Sequence, residues 1–183
     1  MFRKKLETIL ELTPKAIMDF IGIVDTKNIL YQNTLQVLTS IIRAAIQGEY
    51  VVDINGIPVI VSDEVHQIYT GVKFPKITNN VPMSVVIGPG MPIPIEDHVI
   101  VVNRKFLEQD EKFQTFVFIH EIGHILCGDA MNEIAADRYA LDFMKEEGEI
   151  QLRRIVKMVE DICGDDPAYA DYVRAVKIRL DFI

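Results

Sequence analysis

The spacing of apolar residues changes period along the chain. Leu35, Leu38, Ile41, Ile42, Ala45 and Ile46 recur at three-to-four spacing, one side of a helix opening at Asn33 or Thr34, and Gly48 suits its end. Thr13-Pro14 signals the start of an earlier helix, with a capping hydroxyl followed by a proline where its missing N–H costs nothing. From Glu49 to Val61 the pattern shortens to alternation around Asn55-Gly56, which accept the positive φ values of a type I′ turn, and so predicts a β-hairpin. Met83 to Ile87 and His98 to Val102 predict further strands, joined by a Gly-Pro-Gly and proline-rich connection.

From Asp110 onward the pattern is helical. One helix is expected from about Asp110 to Cys127, a turn at Gly128-Asp129, and a second helix from about Met131 to Glu147 stopped by Gly148. A third has Leu152, Ile155, Val156, Val159 and Ile162 on one side; a fourth follows Asp165-Asp166-Pro167, with Tyr169, Tyr172, Val173, Val176 and Leu180 in phase. No repeat or linker interrupts this order. The expectation is one α+β domain over residues 1–183, with a helical N-terminal region (1–48), a sheet region (49–109) and a helical remainder (110–183).

Composition narrows the function classes. At 183 residues and 49% hydrophobic content the chain can bury one substantial core. Its 19 Lys and Arg against 27 Asp and Glu give a net charge of -8, which repels a phosphate backbone over most of the surface, so no nucleic-acid partner is expected. No apolar stretch approaches the roughly 20 residues a membrane-spanning helix needs. Glu7 and Glu11 fall where a signal peptide would need an apolar core, so a cytoplasmic protein is expected. Cys127 and Cys163 make no disulfide framework, which agrees with a reducing compartment. Nothing in the sequence sets an oligomeric state.

The chemistry is concentrated in His120-Glu121-Ile122-Gly123-His124, an HExxH motif. Histidines four apart project from one helix face and can share a zinc ion, while the intervening glutamate can deprotonate a water that the metal activates. Glu133-Ile134-Ala135-Ala136-Asp137 follows on the next predicted helix. In an antiparallel helical hairpin centred between Gly128 and Asp129, His124 lies opposite Glu133 and His120 opposite Asp137. Glu133 then becomes the third ligand and Asp137 a hydrogen-bond acceptor for the metal-free nitrogen of His120. Asp129 and Asp137 are the other carboxylates within reach of the third position. Three protein ligands leave a fourth position open, as in catalytic zinc sites.

HEIGH followed by NEIAADRYA resembles the zinc metallopeptidases called gluzincins, and within them the HtpX-like and minigluzincin group. Ala136 to Ala140, and the approach to the motif through Val99 to Val102, Asn103 and Phe106-Leu107, are also similar to the ImmA/IrrE family. The resemblance spans roughly Val99 to Met144, about a quarter of the chain. It implies a zincin-like fold with N-terminal helices, a small mostly antiparallel sheet, an active-site helix and C-terminal helices. It further implies Zn2+ on His120, His124 and Glu133, Glu121 as general base, Asp137 supporting His120, and Val99 to Val102 as the sheet edge along which a peptide lies. The expected activity is zinc-dependent endopeptidase cleavage of a protein or peptide substrate, and the ImmA/IrrE resemblance points to regulatory cleavage of a DNA-binding repressor.

Simpler readings stand beside these. The histidines could be hydrogen-bonded core residues, and Glu133 an acid favoured by a helix N-terminus. Cys127, one turn beyond His124, is expected to be a small buried residue rather than a ligand. Gly123 is expected to admit a packing neighbour. Tyr139, His66 and His98 are candidates for steadying an oxyanion. The alternative function is a non-catalytic zinc-stabilised module that binds a partner protein, with the N-terminal helices covering the metal.

Overall fold

Alternate residues of one buried strand serve two separate cores. In a computed structural model describing residues 2–10, 31–70, 74–78, 80–88, 98–128 and 132–183, Val99 and Val101 pack into one apolar cluster and Ile100 and Val102 into another. Strand side chains alternate between faces, so this strand is covered on both sides. The described strands are β1 (Glu49–Ile54), β2 (Ile57–Val61), β3 (Ser84–Ile87) and β4 (Val99–Val102), in the order β1-β2-β4-β3. β1/β2 and β3/β4 are antiparallel and β2/β4 is parallel, so the sheet is mixed within an α+β fold.

The Asn55-Gly56 turn forms as expected, with φ values of 50° and 81°. The alternation expected across the hairpin does not. β2 is buried at every position because both of its faces are covered, whereas the first five residues of β1 are exposed. Val99 to Val102 is also not an edge. β4 lies between β2 and β3, and β3 is the outer strand.

On one sheet face lie α1 (Phe2–Leu10) and α2 (Tyr31–Ile46), which contribute Phe2, Leu6, Ile41, Ile42 and Ala45 to the cluster with Ile60, Val99 and Val101. Thr13-Pro14 and the helix start assigned there lie outside the described residues. α3 (Asp63–Thr70) and α4 (Pro75–Thr78) occupy a stretch whose sequence carries no clear period.

Across the sheet lies α6 (Glu111–Cys127), preceded by the short α5 (Arg104–Leu107). α6 buries Phe113, Phe116, Val117, Ile119 and Ile122 in the cluster with Ile57, Val59, Val61, Ile100 and Val102. It is buried around most of its circumference, as befits a helix enclosed by sheet and other helices. Asp110 caps its start by accepting from the Phe113 N–H, and Gly128 ends it at φ 67°, a left-handed conformation that favours glycine.

α7 (Glu133–Met144) starts at an Asn132 cap. Its break comes at Lys145, at φ 55°, and not at Gly148. Gly148 instead lies inside α8 (Glu146–Cys163), packed against Leu141 and Met144, where a side chain would crowd α7. α9 (Ala170–Ile178) and a final 3₁₀ turn (Arg179–Phe182) close the chain over α8 through Val156, Val159, Val176 and Leu180. Among the described residues no helix is long and apolar enough to cross a membrane.

Candidate metal centre

The α6–α7 hairpin brings the expected residues together. His120 and His124, one turn apart, are both buried, and their Nε2 atoms face each other at 3.0 Å. Glu133, in the first turn of α7, brings Oε2 to 3.3 Å from His120 Nε2 and Oε1 to 3.4 Å from His124 Nε2. Zinc held tetrahedrally by ligands about 2.0–2.1 Å away would have neighbouring ligand atoms about 3.3 Å apart. The three residues therefore form a group that could hold a metal ion. Asp137 does not compete for the third position. Its Oδ1 accepts from His120 Nδ1 at 2.8 Å, leaving Nε2 for the shared centre. Asp129 lies outside the described residues.

Arg179 completes this arrangement from the far end of the chain. Its Nε donates to Asp137 Oδ2 and its Nη2 to Asp137 Oδ1, both at 2.6 Å, and its Nη1 lies 3.5 Å from Glu133 Oε2. No sequence signal singles out this residue. It is one basic side chain in a C-terminal amphipathic pattern.

These contacts set the protonation of the metal-free site. Burial opposes charge on His120, but hydrogen bonds to Asp137 and Glu133 outweigh it and raise its pKa to about 10. Burial likewise opposes charge on His124, and its Glu133 contact leads a net upward shift. Against burial, the two histidines and Arg179 hold Glu133 well below the usual carboxylate range. Burial also opposes the Asp137 charge, and the hydrogen bonds from Arg179 and His120 lower its pKa.

Glu121 differs from the other acids. It is 6% exposed, and burial raises its pKa against the pull of His120 and His124. The Ser84 hydroxyl approaches it from β3 without completing a hydrogen bond. Glu121 thus sits between α6 and the sheet edge. Asn103 secures the start of that edge: its Oδ1 accepts from the Met83 and Phe106 N–H groups and its Nδ2 donates to the Val81 carbonyl.

The cluster opens into a cleft of about 430 Å³ between α6 and β3 on one side and α8 and α9 on the other. His120, Glu121, His124, Glu133 and Arg179 line it, and much of its remaining wall is apolar, including Phe74, Phe116, Ile155, Met158 and Val159. Phe74 and Tyr172 stack at 4.6 Å between ring centroids within this wall.

The three oxyanion candidates lie elsewhere. His66 is fully buried and its Nε2 contacts the Val101 carbonyl; His98 is buried against Gly88; Tyr139 packs behind Gly123. None lines the cleft, whereas Tyr69 and Tyr172 do. Burial, with the charges of Glu133 and Glu121, pushes the Tyr69 phenol up to about 12, so it remains a donor at neutral pH. Tyr69 escaped the sequence reading because α3 has no motif linking it to α6. Cys127 is exposed, contrary to expectation, because it follows the last buried turn of α6, and its Sγ contacts the His124 carbonyl at 3.6 Å. The described N-terminal helices do not cover the cluster; α1 and α2 pack on the opposite sheet face.

No protein-family model matches the chain, and no curated protein or solved structure matches it either.

Proposed function

We propose that this chain is a zinc-dependent endopeptidase of the gluzincin type. The observation that carries the reading is the set of 3.0, 3.3 and 3.4 Å spacings among His120, His124 and Glu133, which suit a tetrahedral cation, with a buried glutamate beside them at the wall of a cleft. Zinc, when bound, would supply Lewis-acid polarisation of the scissile carbonyl and make a water nucleophilic near neutral pH.

The residues of the chain do the rest. Glu121 takes a proton from the attacking water as its oxygen bonds to the carbonyl carbon, then delivers it to the leaving nitrogen as the C–N bond breaks. The raised pKa of Glu121 suits the first step, because burial makes its carboxylate a stronger base toward the attacking water. Of the hydroxyls that line the cleft, Tyr69, whose phenol feels the charges of both Glu133 and Glu121, is the one assigned to the developing oxyanion. Among the described residues β3, rather than β4, is the edge of the sheet beside the cleft, the strand along which an extended peptide would lie. The apolar wall suits a bulky apolar side chain next to the cleaved bond.

The test is cleavage of a mixed peptide library by zinc-loaded protein and by Glu121→Gln. Cleavage beside large apolar residues, reduced about 10²–10⁴-fold in a variant that still binds zinc, is expected. A parent protein that binds zinc but cleaves no peptide would sink the proposal in favour of a non-catalytic module.

A further inference from the structure

We infer that Arg179 is a positioning residue of the metal centre: it clamps Asp137 and thereby fixes which nitrogen of His120 faces the cation. The inference rests on the metal-binding reading of His120, His124 and Glu133. Its starting point is the number of demands on one carboxylate. Asp137, only 2% exposed, accepts from His120 Nδ1 at 2.8 Å and from two guanidinium nitrogens at 2.6 Å.

A carboxylate is a broad two-fold rotor about its last torsion, so a single imidazole contact leaves its plane poorly defined. The planar fork of arginine grips both oxygens at once and removes that freedom. His120 Nδ1 is then tied to Asp137 and its Nε2 turned toward the shared centre.

Charge balance supports the same role. Glu121 and Asp137 are buried with Glu133 half exposed beside them, and one divalent cation together with Arg179 balances the three carboxylates. Without Arg179 the loaded centre would retain an uncompensated negative charge, which is costly away from water. The guanidinium is itself largely enclosed, its side chain 14% exposed, and it reaches the site because α9 packs on α8 through Val156, Val159 and Val176. The final turn of the chain thereby becomes part of the centre it follows by 42 residues.

The test uses the full chain, with zinc affinity measured by chelator competition and the His120 ring nitrogens followed by NMR. Arg179→Gln should weaken zinc binding about 10–100-fold, as loss of a group supporting a ligand typically does, and in the zinc-loaded protein should move the His120 Nδ1 resonance and speed exchange of its proton as the acceptor loosens. Asp137→Asn should weaken binding comparably, and the double variant should be little worse than either single one, because both remove the same clamp. Arg179→Lys, which keeps the charge but lacks the fork, should fall between parent and Arg179→Gln. Zinc affinity within about twofold of the parent and an unchanged His120 Nδ1 resonance in zinc-loaded Arg179→Gln, or full additivity in the double variant, would overturn the inference. If Arg179→Gln does not fold, parental affinity in Arg179→Lys overturns it instead. A parent protein that binds no zinc would overturn the metal reading itself, whereas a zinc-binding parent with unaffected variants overturns only the role of Arg179.

Discussion

Gly123 meets Ala136 backbone to backbone: a Cβ at position 123 would lie 2.9 Å from the Ala136 Cα and 3.0 Å from its carbonyl oxygen. This contact sits at the centre of the four residues that matter most. Gly123 lies between His120 and His124, and Ala136 between Glu133 and Asp137. The missing side chain lets α7 approach closely enough for its two acids to reach the two histidines.

Gly123→Ala should therefore lower stability, by about 1–3 kcal/mol, even though alanine is the better helix former. The same substitution should weaken zinc binding, because α7 must move away from α6. Urea unfolding and chelator competition on one preparation check both effects. Equal or greater stability with parental zinc affinity would show that the helices have room to spare.

Tyr69→Phe removes the phenol without removing its ring. If its hydroxyl steadies the developing oxyanion, turnover should fall about 10²-fold while zinc content and KM change little. Steady-state kinetics on a cleavable peptide would decide, and parental kcat would eliminate Tyr69 from the mechanism.

Protons and metal should compete at His120. With a folded pKa of about 10, it must release a proton to accept a cation at neutral pH, so apparent zinc affinity should rise with pH. The metal-free protein should behave oppositely in stability. A pKa raised above the unfolded value near 6.5 contributes stability that is complete below that pH and disappears as pH rises through about 10. Thermal melts of metal-free protein between pH 7 and pH 10 should decline, and a flat profile would contradict the contact network.

His66 predicts sensitivity at the acid end. Burial lowers its pKa to about 4 despite its contact with the Val101 carbonyl, and its Nδ1 has no hydrogen-bond partner among the described residues. A folded pKa below the unfolded 6.5 leaves stability intact above that value and erodes it as pH falls toward 4, by up to roughly 3 kcal/mol. Urea midpoints at pH 7 and pH 4.5 measure this, and His66→Gln should flatten the difference. Persistence of the full pH dependence in that variant would assign it to other groups.

Local features were legible where the physics is local. Asn55-Gly56 fixed its own turn because both residues tolerate positive φ, and Asp110 and Gly128 bounded α6 by capping and by a left-handed exit. Gly148 misled because a glycine inside a helix that packs closely on its neighbour looks, in one dimension, like a glycine that ends a helix. The edge assignment failed for a related reason. Val99 to Val102 is uniformly apolar, which signals burial on both faces but does not name the neighbouring strands.

The sequence by itself pointed to the group that could hold a metal ion, since a helical pair at i and i+4 and a short hairpin bring His120 and His124 toward Glu133 and Asp137, though it left the third position open among Glu133, Asp129 and Asp137. Tertiary structure alone decided what surrounds that group: Arg179 from the C-terminal turn, Tyr69 from α3, Ser84 on the outer strand and the apolar cleft between them. The difference is one of range. Helix periodicity carries a signal across one turn and a tight hairpin carries it across two helices, but contacts between distant segments depend on how whole layers pack.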